Sequence, residues 1–339
     1  MPNISPAPTS APQAGWPTHA TGTALVDLLG EVAAADYAFI TPTPLTHQRV
    51  LRNRGDGPAR SLRDVFGWNL PFDATVVPGA VLTALHAADA VSVSGGFYRS
   101  KVRIASLDGH LFIHSAFPTD QEDAVFFGPD TYRFARFIRT TCRHAPVSPD
   151  RQALRILDVG CGSGAGGIAA AHALSSQSGV ATQVVMNDVN PLALHYARVN
   201  VSVAGLGAVF AQGDALSAVE GEFDLIVSNP PYMDDSGNRA YRHGGDGLGR
   251  ALSIRIAAEA LTRLAPGGSL LLYTGVAILG GCDPFLSEML PLLQTADCDW
   301  SYEELDPDVF GEELDQPRYA HAERIAVVGL VATRNLPSL

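Results

Sequence analysis

An apolar run, Phe223-Asp224-Leu225-Ile226-Val227-Ser228, stops abruptly at two consecutive prolines, Pro230 and Pro231. A short, nearly continuous hydrophobic stretch of this kind predicts a strand buried on both faces, as in a parallel sheet. Proline cannot donate to the ladder, so the strand must end there. The termination leaves the Asn229 amide, two peptide carbonyls and the Tyr232 ring facing the region beyond the strand end. In open α/β sheets that crevice is where ligands bind. A planar ring beside an amide oxygen and a backbone oxygen suits a flat –NH2 group, because the ring stacks and the two oxygens take its protons.

The rest of the second half follows the alternation that a doubly wound parallel sheet requires. Strands are predicted at 154–159, 183–188, 209–212, 223–228 and 269–273, with helices at 167–175, 191–204 and 248–264 between them. Two further strands are expected at 299–303 and 324–332, joined by the acidic loop Asp306-Pro307-Asp308-Val309-Phe310-Gly311-Glu312-Glu313-Leu314. The first half reads differently. Leu25, Leu28, Leu29, Val32 and Ala35 recur at helical spacing, and shorter helical stretches fall near 43–53, 60–67 and 79–88. From Gly96 to Phe117 apolar and polar residues alternate around Asp108-Gly109, a hairpin signal that places Val102 and Ile104 on one face, opposite Leu111 and Ile113. The expected organisation is a disordered leader over 1–19, a small α+β, winged-helix-like domain over 20–118, and a Rossmann-like α/β catalytic domain over 119–339.

Bulk properties narrow the function. Apolar residues make up 46% of the 339 and charged residues 17%, enough for a packed core. No apolar run reaches membrane-spanning length. The segment up to Pro17 carries no Lys or Arg, so it lacks the basic region of a secretory or transit signal. Cys142, Cys161, Cys282 and Cys298 show neither CxxC nor CxxH spacing, which favours free thiols in a cytoplasmic protein over a disulfide or zinc framework. The ten histidines form no metal spacing, and His172, His195 and His243 read as surface or cap residues, so no metal site is expected. The formal charge of −12 is concentrated in the second half, which argues against a grip on long nucleic acid. Arg49, Arg52, Arg54, Arg60 and Arg63 form a basic cluster and Arg99, Lys101 and Arg103 a second small group, and solvated faces account for both.

The run Leu157-Asp158-Val159-Gly160-Cys161-Gly162-Ser163-Gly164 carries a strand into a glycine turn and a helix. The glycines permit tight turns and close backbone approach to a ligand. Such a turn alone is shared by many nucleoside sites. Asp158 at this strand end can receive hydrogen bonds from an ammonium group or an ordered water. Asp188 closes the next strand, where a carboxylate can accept two ribose hydroxyls. Asp214 follows the third, placed to accept from an adenine amino group. The three carboxylates and the turn together form a much stronger signal than any one of them.

With these residues in view, the block from Ile156 to Gly275 resembles the class I S-adenosylmethionine-dependent methyltransferases that bear an Asn-Pro-Pro-Tyr motif. Within that group it is most similar to the HemK/PrmC-type glutamine N5-methyltransferases. The resemblance rests on 158–164, on Asn187-Asp188-Val189-Asn190-Pro191, on Asn229-Pro230-Pro231-Tyr232 and on Gly244-Gly245-Asp246-Gly247-Leu248 followed by Arg255. It also includes Phe127-Gly128-Pro129-Asp130-Thr131-Tyr132, similar to a Pro-x-x-Thr stretch lining the site in relatives. It implies S-adenosylmethionine as cofactor, its methionine part passing Gly160 and Gly162, its ribose on Asp188 and its adenine on Asp214. It implies that Asn229, Pro230 and Tyr232 face the acceptor nitrogen, Asn229 also bordering the cofactor. The chain departs from those relatives at Tyr273-Thr274-Gly275, where they usually place a glutamate, and in the 306–314 loop. Tyr132, Asp306 and Asp308 are the candidate substrate contacts.

Three functions are compatible with this reading. One is methyl transfer to a planar amide or amino nitrogen, in a protein glutamine, a nucleic-acid base or a small metabolite. Another is cyclisation of S-adenosylmethionine itself with release of methylthioadenosine, as in azetidine-2-carboxylate synthases, which an acidic loop over an amine would suit. The third is a non-catalytic scaffold, whose expected signature of a ruined glycine turn or a lost Asn229 is absent.

Overall fold

The computed structural model describes residues 19–55, 57–143, 152–235 and 241–337. All but the last residue of the expected leader lies outside them. The chain begins with α1 (His19–Ala34) and α2 (Pro44–Arg54), followed by a π-helical turn at Arg63–Gly67 and α3 (Gly79–Ala87). Two antiparallel hairpins come next, β1 (Val91–Ser94) with β2 (Phe97–Ser100), and β3 (Val102–Leu107) with β4 (His110–Ser115). Asp108 and Gly109 turn the second hairpin with φ of 52° and 81°, the paired positive values of a tight two-residue turn. Ile104 pairs with Ile113 across it.

The hairpin departs from the expected one-sided pattern, since both of its faces are buried. Ile104 and Ile113 join a core with α1 and α3, whereas Ala105 and Phe112 join a second core with Phe127 and Phe134. The hairpin is a wedge between two hydrophobic clusters, so neither face is left for water.

The second half continues with α4 (Pro129–Cys142), β5 (Ala153–Val159), α5 (Ala165–Ser178), β6 (Ala181–Asp188), α6 (Pro191–Val203), β7 (Ala208–Gln212), β8 (Phe223–Ser228), α7 (Ala251–Leu261), β9 (Leu264–Ile278), α8 (Pro284–Thr295), β10 (Cys298–Asp306) and β11 (Arg324–Arg334). The seven strands form one mixed sheet in the order β10-β11-β9-β8-β5-β6-β7. β5 to β9 are parallel, and β11 runs antiparallel to both its neighbours. This is a Rossmann-like α/β sheet, preceded by helices and small hairpins. α4 and α8 were not expected. Both begin with proline, pre-set for a first helical turn, and both carry apolar residues at helical spacing that the reading passed over, Phe134, Phe137 and Ile138 in α4 and Phe285, Met289 and Leu293 in α8.

α6 serves two cores. Leu194, Ala197 and Val201 face the sheet, and Ala193, Tyr196 and Val199 face the N-terminal cluster. Between them the buried Asn200 side chain accepts from the Ile113 amide at 2.8 Å. It donates to the Ile113 carbonyl at 3.1 Å and to the Ser163 carbonyl at 2.8 Å. β5 is the switch point: the chain winds outward through β6 and β7 on one side and through β8 and β9 on the other. The divergence opens a crevice at the ends of β5 and β8. Among the described residues no helix is long and apolar enough to cross a membrane.

Candidate active site

A cavity of about 460 Å³ occupies that crevice. Asp158, Gly160, Gly162, Asp188, Asp214, Asn229, Pro230 and Tyr232 all line it. The glycine turn forms one wall. Gly160 and Gly162 take φ of 68° and 52°, and a Cβ built on either would meet no protein atom within 4 Å. These positions therefore open onto the cavity and admit the close approach of a ligand to backbone.

The carboxylates are fixed from below. Asp158 Oδ2 accepts the Gly167 N–H at 2.7 Å, bonding the first turn of α5 to the end of β5. Burial pushes its carboxyl up to about 7, with a smaller upward push from Asp188 and a downward one from the Gly167 bond. Asp188 accepts the Gly162 N–H on Oδ2 and the Asn190 N–H on Oδ1, both at 2.9 Å. Burial raises its pKa as well. Each oxygen retains a second lone pair, so the group can still accept from a vicinal diol. Asp214 is exposed and held in a fork by Arg255, with contacts of 2.7 and 2.6 Å that lower its pKa. Open glycines, an anchored diol acceptor and an acidic group near the rim fit the three parts of S-adenosylmethionine in order.

Beyond β8 lies the acceptor wall. Ser228 Oγ donates to the Val159 carbonyl at 2.9 Å, binding the two strand ends that frame the cavity. Tyr232 is buried, and its hydroxyl donates to Asp130 Oδ2. Tyr273 donates to Asp130 Oδ1 at 2.9 Å, and Arg133 reaches the same oxygen at 3.1 Å. Burial raises the Asp130 pKa against the lowering effect of these three partners. The ring of Tyr232 lies against Gly275, where a Cβ would come within 2.3 Å of it. Ring position is thus set by a carboxylate at one end and by a missing side chain at the face.

The three candidate substrate contacts do not line the cavity. Tyr132 turns its hydroxyl to the Thr41 N–H at 3.1 Å and packs edge-on against Phe127. Asp306 is paired with Arg133 at 3.0 Å, and Asp308 is exposed. The expected overhang by the loop is made instead by Phe310, Glu312 and Glu313. Phe310 adopts a left-handed φ of 53° and sets its ring 6.1 Å from that of Tyr232. Glu313 pairs with Arg242, which also lines the cavity. His195 corrects the surface reading, being buried on α6.

Asp130, Tyr273, Phe310 and Arg242 are the site residues that motif reading missed. Asp130 lay within the quoted Phe127–Tyr132 stretch, and its place in the first turn of α4 was the one available signal. Tyr273 lies on β9 and donates to a carboxylate supplied from α4.

Residues 145–278 match the family described as methyltransferase small domain. The release factor glutamine methyltransferase of Deinococcus radiodurans is 38% identical over 130 residues, 35% of this chain and 44% of that protein. The ribosomal RNA small subunit methyltransferase C of Haemophilus influenzae is 32% identical over 126 residues, 37% of this chain and 36% of that one. The match spans less than half the length of either relative. Among solved structures, wild-type Trm5b from Pyrococcus abyssi aligns over 73% of this chain and 62% of its own at 15% identity, with a TM-score of 0.46.

Proposed function

We propose that this protein, whose residues 145–278 match the methyltransferase small domain family and are similar to release-factor and ribosomal RNA methyltransferases, transfers a methyl group from S-adenosylmethionine to a planar amide or amino nitrogen. The observation that carries the reading is convergence. The glycine turn, Asp188 and the Asn229–Tyr232 segment all line one cavity.

S-adenosylmethionine, when bound, supplies an already activated sulfonium methyl. What this chain must add is placement and a lone pair aimed in line. The nitrogen of an amide or exocyclic amine shares its lone pair with a π system. Asn229 Oδ1 and the Pro230 carbonyl accept its two N–H bonds, which pulls the nitrogen toward tetrahedral geometry. The same two oxygens stabilise the positive charge that develops on the nitrogen, at no reorganisation cost because the strand end holds them in place. Tyr232 stacks on the acceptor plane, and Asp130 and Gly275 hold its ring. No general base is needed before transfer. Asp188 takes the ribose hydroxyls, Asp214 the adenine amino group, and Asp158 the ammonium group of the methionine part.

The acceptor is proposed to belong to a protein or a small molecule. Glu312 and Glu313 stand on the cavity lining, and the second half of the chain is strongly acidic, a poor surface for a polyanion. The test is a mass-spectrometric product assay of the purified protein with S-adenosylmethionine, alone and with protein, RNA and small-molecule fractions of cell extract. The proposal expects S-adenosylhomocysteine only when the protein or small-molecule fraction is present. Methylthioadenosine formed without any acceptor would overturn it in favour of cyclisation of the cofactor. Product formed with RNA alone would overturn the acceptor class.

A further inference from the structure

Beside the large cavity, on the side lined by Pro44, Thr119 and Phe126, four buried polar residues converge. Arg103 on β3 pairs directly with His114 on β4, and His47 of α2 and Thr41 just before it close over them. All four are at most 4% exposed. Arg103 donates to the Gly67 carbonyl at 3.0 Å and lies 3.4 Å from His47 Nδ1. The ionisable groups that bear on its charge are the phenols of Tyr37 and Tyr132, not a carboxylate. A buried guanidinium without a counter-charge is costly, because arginine cannot shed its proton to relieve it.

The surrounding polar atoms are equally unusual. Thr41 Oγ1, His47 Nε2 and both ring nitrogens of His114 have no hydrogen-bond partner among the described residues. All four residues line one small chamber of about 10 Å³, roughly the room for a single water-sized species. Phe117 and Phe127 form its apolar sides, stacking on His47 at 4.1 Å and on His114 at 5.3 Å between ring centres. Pro44, Thr119 and Phe126 line both this chamber and the large cavity, so the two share a wall.

The donors can be counted. Arginine only donates, so its contact fixes His47 Nδ1 as acceptor and leaves Nε2–H as a donor. Thr41 adds a hydroxyl proton and neutral His114 one N–H. Burial and the Arg103 charge hold His47 down to about 4 and lower His114 too, so both rings are neutral at pH 7. Around one small chamber, donors outnumber acceptors and the net charge is positive. A water must donate as well as accept, whereas an anion accepts from every side. We propose that the Arg103–His47–His114–Thr41 chamber is a binding site for a small monovalent anion of halide size, held as the counter-charge of Arg103.

The experiment uses the full chain. Crystals grown in sodium bromide are measured at the bromine edge, and thermal unfolding is compared in chloride and gluconate at equal ionic strength. The expected result is an anomalous peak within about 3.5 Å of the Arg103 guanidinium and the orphaned nitrogens. Tm is expected to be about 2 to 4 °C higher in chloride. Arg103→Met should abolish that difference; should this variant fail to fold, the bromide crystal of the unaltered protein decides alone. No anomalous peak at the cluster in bromide crystals, with water density in its place, would overturn the assignment.

Discussion

Removing the Asn229 amide takes away one of the two oxygens proposed to receive the acceptor's protons, and it leaves the glycine turn and Asp188 untouched. Asn229→Ala should therefore retain S-adenosylmethionine affinity by calorimetry within a few-fold while kcat falls by about a hundredfold or more. Near-normal turnover would refute the nitrogen-acceptor reading. Asp158 makes a second test through pH. Its folded pKa of about 7 lies above the unfolded value of roughly 3.9. The stability it contributes to the free protein is thus complete below about pH 4 and is lost as pH rises through 7. Cofactor binding runs the other way, because only the ionised carboxylate attracts an ammonium group. Affinity should weaken as pH falls from 8 to 6, by up to about tenfold per unit below 7, and Asp158→Asn should flatten the profile. A pH-independent affinity in the unaltered protein would exclude the proposed contact. These residues were legible because each sits at a strand end beside its own motif. Asp130 was not, since it meets Tyr232 and Tyr273 across 102 and 143 residues of chain, a pairing that only the folded packing creates.

At the scale of elements, β9 passes under the acceptor wall and contributes an absence. Its Gly275 leaves room for the Tyr232 ring, and a methyl group there would overlap ring carbons held at the other end by Asp130. Gly275→Ala is expected to cost about 1 to 3 kcal/mol of stability by overpacking. It should lower kcat far more than cofactor affinity, because the displaced group serves the acceptor. Equal losses in both would show that Tyr232 has no separate role. The parallel strands were readable from apolar runs cut by Gly, Pro or Asp, and the ends of β5 and β8 with them. The two buried faces of the β3–β4 hairpin were not. Alternation in sequence reports polarity, and here Ala105, Leu107 and Phe112 fill the face opposite Ile104 and bury it in the second core. The acidic loop misled for a different reason. Charge drew attention to Asp306 and Asp308, whereas the left-handed turn at Phe310 and the pull of Arg133 decide which side chains face the cavity.

Across the whole molecule, Asn200 ties the hairpin to the glycine turn through three hydrogen bonds in a buried position. Asn200→Ala leaves an amide proton and two carbonyls without partners, at a cost of about 2 to 4 kcal/mol. Because Ser163 belongs to the cofactor turn, the same variant should weaken S-adenosylmethionine binding although Asn200 lies outside the cavity lining. Thermal unfolding and calorimetry on one preparation check both, and an unchanged affinity would break the link. α6 is thus shared property, one flank in each hydrophobic core. For anyone building hybrids, the natural seam is therefore not the junction after β4 but a line running lengthwise through that helix. A foreign N-terminal part can be grafted onto this sheet only if it brings residues that mate with Ala193, Tyr196 and Val199 and an acceptor–donor pair for Asn200. The two halves must be inherited, or redesigned, as a matched set.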